Sequence, residues 1–314
     1  MEHRKLIKFG NSSHVISLPN TWLKRNNVEK GDTLYIEENG NNELILSSEK
    51  KQKVQEEKQI VIGVESKTAN ELSREVISAY INNNKTIKLV GKDIEKKSKD
   101  IREIIKGLSG VEVLEQTKDH IIAKDFLNIE EISLMHLVKR MDILTKNMLA
   151  DAMDSFHRDA YQSLMQRDED INRLLFLAHR VAKFFLEHPD LAPQTQFSLI
   201  ECTILWQIAD HLERFADETK RSSRFLRKLE KNAPERKEIE MVFKEIDECY
   251  VVIMRSLYGK NQTKALSAAV TTKKLIEKCD KISEKSKEKN VIILMERVKT
   301  MIDHLRTIAH FIYN

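Results

Sequence analysis

The sequence predicts an α+β multidomain protein in three parts: a β-rich head, a small α/β middle and an all-α tail. Three observations predict it. Charged residues make up 32% of the 314 positions, while only 8 glycines and 4 prolines occur. That composition favours helix over an all-β fold. Short alternating runs and turn residues crowd into residues 1–48. Apolar residues at three- and four-residue steps run through nearly everything after residue 128.

In the head, "RKLIKF" alternates and reads as a strand; Gly10-Asn11 is a turn, and "HVISL" is a second strand. Pro19 suits the first turn of a helix, "PNTWLKRNN". "KGD" then turns into "TLYIEE", and "NGNN" is a hairpin signal closed by "ELILS". The order is β-β-α-β-β, a unit too small to bury much apolar surface alone. Its strands would gain most by pairing with a second copy. Arg4, Lys5, Lys8, Lys24, Arg25 and Lys30 lie in the first part, and the acids Glu37, Glu38 and Glu43 follow near the second hairpin. Such a basic end is suited to meeting phosphate. The alternative is a dimerisation module with solvated lysines.

The run "EKKQKVQEEK" over 49–58 reads as a linker or solvated helix. Over 59–127, "QIVIGVE", "KTIKLVG" and the two strands of "VEVLEQTKDHIIAKDF" alternate with the helices "NELSREVISAYINN" and "EKKSKDIREIIKGLSG". This is the pattern of a small α/β sheet. Neither a Gly-x-Gly-x-x-Gly nor a Walker sequence is present, so a spacer or dimer-supporting role is expected.

The tail, 128–314, divides at Pro234 into two sets, 128–232 and 234–314. The first helix carries Leu134, Val138, Met141, Met148, Ala152 and Phe156. The second carries Tyr161, Leu164, Ile171, Leu175, Ala178 and Val181, ending near Pro189 and Pro193. The third carries Phe197, Ile200, Ile204, Ile208, Leu212 and Phe215. Three more helices are expected over 235–258, 263–287 and 291–312. The last has a stripe of Val298, Met301, Ile302, Leu305, Ile308, Ala309 and Ile312, wide enough for its own core and a neighbour.

Asp210, Glu213 and Asp217 share one face of the third helix, predicted to point away from the apolar stripe. Asp168 falls between Leu164 and Ile171 on the second helix's stripe and needs a partner. A metal ion among carboxylate oxygens would satisfy both helices. An ordinary surface helix with Arg214, Arg221 and Arg173 as counter-charges is the alternative, and spacing alone favours it. Catalysis is not expected. No His-Glu-x-x-His, no Glu-x-x-His pair on a helix and no Gly-x-Ser-x-Gly occur.

Net charge is only +4, so the distribution of cations has to decide for or against nucleic acid. Cys202, Cys249 and Cys279 are odd in number and form no Cys-x-x-Cys, which predicts reduced thiols in a cytoplasmic protein. The start lacks an apolar signal core, and no uncharged run approaches the ~18 residues of a membrane span.

"KFGNSSHVISLPNTWLKRNNVEKGDTLYIEENG" resembles the SpoVT/AbrB domain, a swapped-hairpin homodimer that binds DNA. That resemblance implies DNA contacts from Arg4, Lys5, Lys8, Asn11, Ser12, Ser13, His14, Lys24 and Arg25. The tail resembles PhoU, the phosphate-uptake regulator, in "LVKRMDILTKNMLADAMDSF", "RDEDINRLLFL" and "LERFADETKR". The PhoU resemblance implies two three-helix repeats and a divalent or trivalent ion (Fe, Mn, Mg or Zn) on Asp168, Glu213 and Asp217. Asn172 departs from the second-helix motif. Lys299 and Lys273 stand near the matching acids of the second set, so no metal is expected there. Head, middle and tail together resemble archaeal PhoU-like regulators. That implies a DNA-binding transcriptional regulator of phosphate uptake, dimeric or larger. A phosphate-transporter ATPase or a signalling protein is a further implied partner. The other reading is a dimeric adaptor that docks on the transporter or a kinase without binding DNA.

Overall fold

The computed structural model describes residues 3–10, 13–38, 43–48, 57–189, 191, 197–230 and 233–313. The chain divides into two units, Met1–Glu56 and Glu57–Asn314.

Among its described residues, the first unit holds two antiparallel hairpins and one short helix. Strand β1 (Ile7–Phe9) pairs with β2 (Ser13–Val15), and β3 (Tyr35–Glu38) pairs with β4 (Leu44–Ser47). Gly10 takes φ +69° at the first turn and Gly31 takes +103° before β3, a region glycine enters at little cost. Between them α1 (Asn20–Arg25) starts directly after Pro19, whose carbonyl accepts from the amides of Trp22 and Leu23. The predicted order is observed with shorter strands. The "NGNN" turn and the linker at 49–56 lie outside the described residues.

The second unit begins with a four-stranded sheet ordered β5-β6-β8-β7. Strands β5 (Gln59–Gly63) and β6 (Thr86–Val90) are parallel, joined through α2 (Ala69–Ile81). After α3 (Ile94–Lys106), β7 (Val111–Gln116) and β8 (His120–Asp125) form an antiparallel pair that adds to β6. Thr68 and Glu71 form a capping box at the start of α2, which satisfies amides the helix cannot. Tyr80 and Leu72 on α2 and Ile101 and Ile105 on α3 are buried with Ile87, Leu89 and Ile121 of the sheet.

Among the described residues, six long helices follow: α4 (Leu134–Asp154), α5 (Tyr161–Glu187), α6 (Leu199–Leu226), α7 (Arg236–Tyr258), α8 (Gln262–Lys285) and α9 (Lys289–Tyr313). Helix α6 packs on α4 and α5 and also on α9, so the two three-helix sets share one core. The neighbour anticipated for the α9 stripe is therefore α6. Thr219 on α6 donates to the sulfur of Met301 on α9 at 3.1 Å. All three cysteines are buried as thiols.

The stripe expected at the start of α6 needs correction. Ile200 is 74% exposed, while Cys202, Leu205 and Ala209 are buried. The predicted residues there advance in steps of four only. Each such step rotates a side chain by about 40° beyond a full turn, so two steps back from the buried Ile208 lie roughly 80° off the core direction.

The sheet layer joins the helices through a buried ion pair. Arg180 of α5, with no exposed surface, bonds Asp125 of β8 at 2.6 Å, and Lys85 reaches the same oxygen at 2.8 Å. Arg180 also donates to Asn83 and lies over the Tyr80 ring. Among the described residues, no helix is long and apolar enough to cross a membrane.

Candidate functional site

Two places collect the candidate residues: the first hairpin with α1, and the seam between α5 and α6.

In the hairpin, Lys8 pairs across the strands with His14, Ile7 with Val15 and Phe9 with Ser13. Side chains alternate between faces of a strand, so one face carries Lys8 and His14 and the other carries Ile7, Phe9 and Val15. Arg4, Lys5, Ser13, Lys24 and Arg25 are exposed as well. Lys24 and Arg25 end α1, where cations also favour the helix dipole. Asn11 and Ser12 lie outside the described residues. The apolar face is open: Ile7 is 58% exposed and Phe9 70%.

At the seam, the structure brings Asp168, Glu213 and Asp217 close together. It also places Lys220 among them. Its ammonium bonds Asp168 at 2.6 Å and Asp217 at 3.0 Å, and Asn172 donates to Asp168. Burial alone would depress the Lys220 pKa. The bonds to the two aspartates outweigh it and hold the ammonium above its ordinary value. Glu213 has the opposite environment. Burial, then the charges of Asp217, Asp168 and Asp210, push its carboxyl up to about 7, against a weaker pull from Arg214.

The acidic face is thus not turned away from the core, as spacing predicted. It lies at a helix junction. Of the expected counter-charges, Arg214 bonds Asp210 at 2.7 Å and Arg221 bonds Asp217 at 2.7 Å, while Arg173 joins neither. Sequence reasoning missed the lysine and its continuation. Arg221 also bonds Glu218, and Glu218 bonds Arg297 of α9, so the ion chain reaches the second set. The three-residue step from Asp217 to Lys220 was a usable signal. The partner on α5 depended on the register of two helices.

As folded, this donor set does not fit a metal ion. An ammonium bonds both aspartates that would have to ligate the cation, and like charges there oppose each other. Among the described residues, no three His, Cys, Asp or Glu side chains converge as donors. His211 and His304 meet across α6 and α9 with their Nδ1 atoms 3.2 Å apart. One ring must donate and the other accept. Burial depresses both pKa values, which keeps the pair neutral.

The model of the PhoU domain matches residues 138–226, the stretch that contains most of α4 and all of α5 and α6. The chain carries a PhoU domain. The model described as "Antidote-toxin recognition MazE, bacterial antitoxin" matches residues 7–56, the head. Among solved structures, PhoU from Pseudomonas aeruginosa is similar over 57% of this chain and 93% of its own, at 17% identity and a TM-score of 0.51. The phosphate transport system regulatory protein PhoU from Streptococcus pneumoniae matches over 58% and 88%, at 17% identity and a TM-score of 0.44. A search of the curated proteins finds no match. The Pseudomonas structure supports the fold of the helical part. The α5–α6 seam falls inside the PhoU match, and α7–α9 follow it.

Proposed function

We propose that the protein is a dimeric, DNA-binding regulator of phosphate transport with no catalytic activity of its own. One observation carries the reading: a MazE-type head and a PhoU domain stand in one chain, and the head's first hairpin sorts its residues into a basic face and an open apolar face. The apolar face is the surface a second copy would cover. Among the described residues of the head none is buried, which is the state of half a core. The basic face, with Lys5, Lys24 and Arg25, is the surface DNA would meet. A phosphate-transport ATPase or signalling protein is the partner that the PhoU domain would engage.

The test uses DNA fragments recovered by pull-down from the organism's own genome. Binding should weaken with salt, with a log-log slope of roughly −0.9 for each phosphate neutralised. Lys8→Ala and Arg25→Ala should each flatten that slope by about one unit. Light scattering should show a dimer or larger. If both variants bind as the wild type does, or no fragment is recovered, the head serves only to dimerise. The cation set of the head is small, and that favours the adaptor as the second reading.

A further inference from the structure

We propose that the cleft between the sheet layer and the PhoU domain binds a small organic anion carrying a phosphate group. This goes beyond the DNA and transport reading and does not depend on it.

The cleft has a volume of about 650 Å³, bounded by α3 and β7 on one side and α4 and α5 on the other. That is the size of a small-molecule site, roughly 300–1,000 Å³. Four cations from three helices line it: Arg102 and Lys106 of α3, Arg140 of α4 and Arg173 of α5; Arg102 also donates to Gln116 at 2.8 Å. Its acids are two, Asp170 and Glu112. Among the described residues, none of these six side chains makes an ion pair.

Arg102, Lys106 and Arg140 are exposed, where unpaired cations are common, but Arg173 is partly buried. The buried or partly buried Lys85, Arg167, Arg180, Lys220 and Arg297 each bond a carboxylate, and Arg173 does not. Arg173 is the sharpest case. Its Nε is buried and has no hydrogen-bond partner. A buried donor without an acceptor costs free energy, and an anion with several oxygens supplies acceptors where a guanidinium fork wants them.

The remaining lining argues for an organic body. Ile105, Leu108 and Val111 are buried beneath the cations, and Leu174 of α5 lies beside them. A bare phosphate would fill only a fraction of the space. Gly110 shapes the wall: it takes φ +72°, and a Cβ there would stand 2.2 Å from Leu127. The cleft is therefore built on a turn that admits no side chain.

Nucleotides and sugar phosphates share this chemistry, and calorimetry on the full chain separates them. The probes are ADP, ribose 5-phosphate and inorganic phosphate, in low salt. At least one organic phosphate should bind more tightly than inorganic phosphate. Its affinity should fall tenfold or more in the double variant Arg140→Gln/Arg173→Gln. Arg140 is exposed, so Arg140→Gln alone should keep the fold and still weaken binding several-fold. Lys264→Gln on α8 should change nothing. Lys8→Ala should flatten the salt slope of DNA binding and leave ligand binding unchanged, so that failure of one reading is distinct from failure of the other. The proposal is overturned if neither organic probe binds, or if inorganic phosphate binds as tightly. It is also overturned if the Arg140→Gln protein, folded by circular dichroism, binds as the wild type does.

Discussion

Glu213 on α6 and Lys299 on α9 each stand four residues before an aspartate, Asp217 and Asp303, in the third helix of their set. They carry opposite charges and lie in opposite surroundings. Glu213 is half-buried among three carboxylates, and its carboxyl is pushed up to about 7. Lys299 bonds Asp280 at 2.8 Å and Glu296 at 2.7 Å, bonds that hold its ammonium above the ordinary value. The first set keeps an uncompensated acid; the second has neutralised the same step. The first set also carries the sheet layer, through Arg180. Of these two positions, it is the one inside the PhoU match whose carboxyl is pushed up to about 7.

The largest effect should separate the two sets by stability. Arg180 and Asp125 are dry, with side-chain exposures of 0% and 1%. Removing one partner strands a buried charge, so Arg180→Ala or Asp125→Ala should cost about 3–5 kcal/mol. Lys299→Ala removes a pair whose acids are 46% and 60% exposed, and should cost about 1 kcal/mol or less. Denaturant unfolding measures both. Equal losses would break the comparison, because the second set would then hold its charges as tightly as the first.

The contrast between these residues also shows what a sequence makes legible. The alternation of Ile60, Ile62 and Val64 and the three-and-four steps of α5 and α9 follow from local periodicity, and the elements formed where those patterns lay. Arg180 was visible as a cation inside the apolar run "LLFLAHRVAKFF", but its partner lies 55 residues away on a strand. Glu213 and Asp217 were legible as a pair on one helix. That Lys220 bonds Asp168 was not, because a contact across 52 residues is fixed by helix packing. The cleft needed three helices and a strand to meet. Local pattern reads elements; it does not read which charges converge.

A second, smaller effect sharpens the comparison through pH. Folding raises the Glu213 pKa from 4.5 to about 7, chiefly by burial and then by Asp217, Asp168 and Asp210. The folded protein therefore keeps a proton that the unfolded chain releases near pH 4.5. Stability from this group is full below that value and is lost as pH rises through about 7. Discounted for partial exposure, the loss should be on the order of 1–3 kcal/mol. Chemical unfolding at a series of pH values should show the decline in wild type. Glu213→Gln should remove that part of the slope, while Lys299→Gln should leave it in place. An unchanged slope in Glu213→Gln would show that other groups titrate there.

The smallest effect expected of the wild type is its response to metal, and it tests what Lys220 does. Asp168, Asp217 and Glu213 supply enough oxygens for a hard cation, but two of them bond an ammonium. A cation would have to displace Lys220, whose ammonium bonds both aspartates. Adding Mn, Fe, Mg or Zn to the wild type should therefore leave its melting temperature unchanged. Lys220→Met removes the competitor and leaves three carboxylates on the seam. Those acids should repel, so the variant should be less stable at neutral pH. A divalent ion should then restore it by mass action, by about 2.7 kcal/mol at a hundredfold excess over Kd. The corresponding Lys299→Met should gain no such response, because Asp280 and Glu296 are exposed and need no cation. If the wild type itself rises with metal and Glu213→Ala abolishes the rise, Lys220 swings aside, and the seam is a metal site after all.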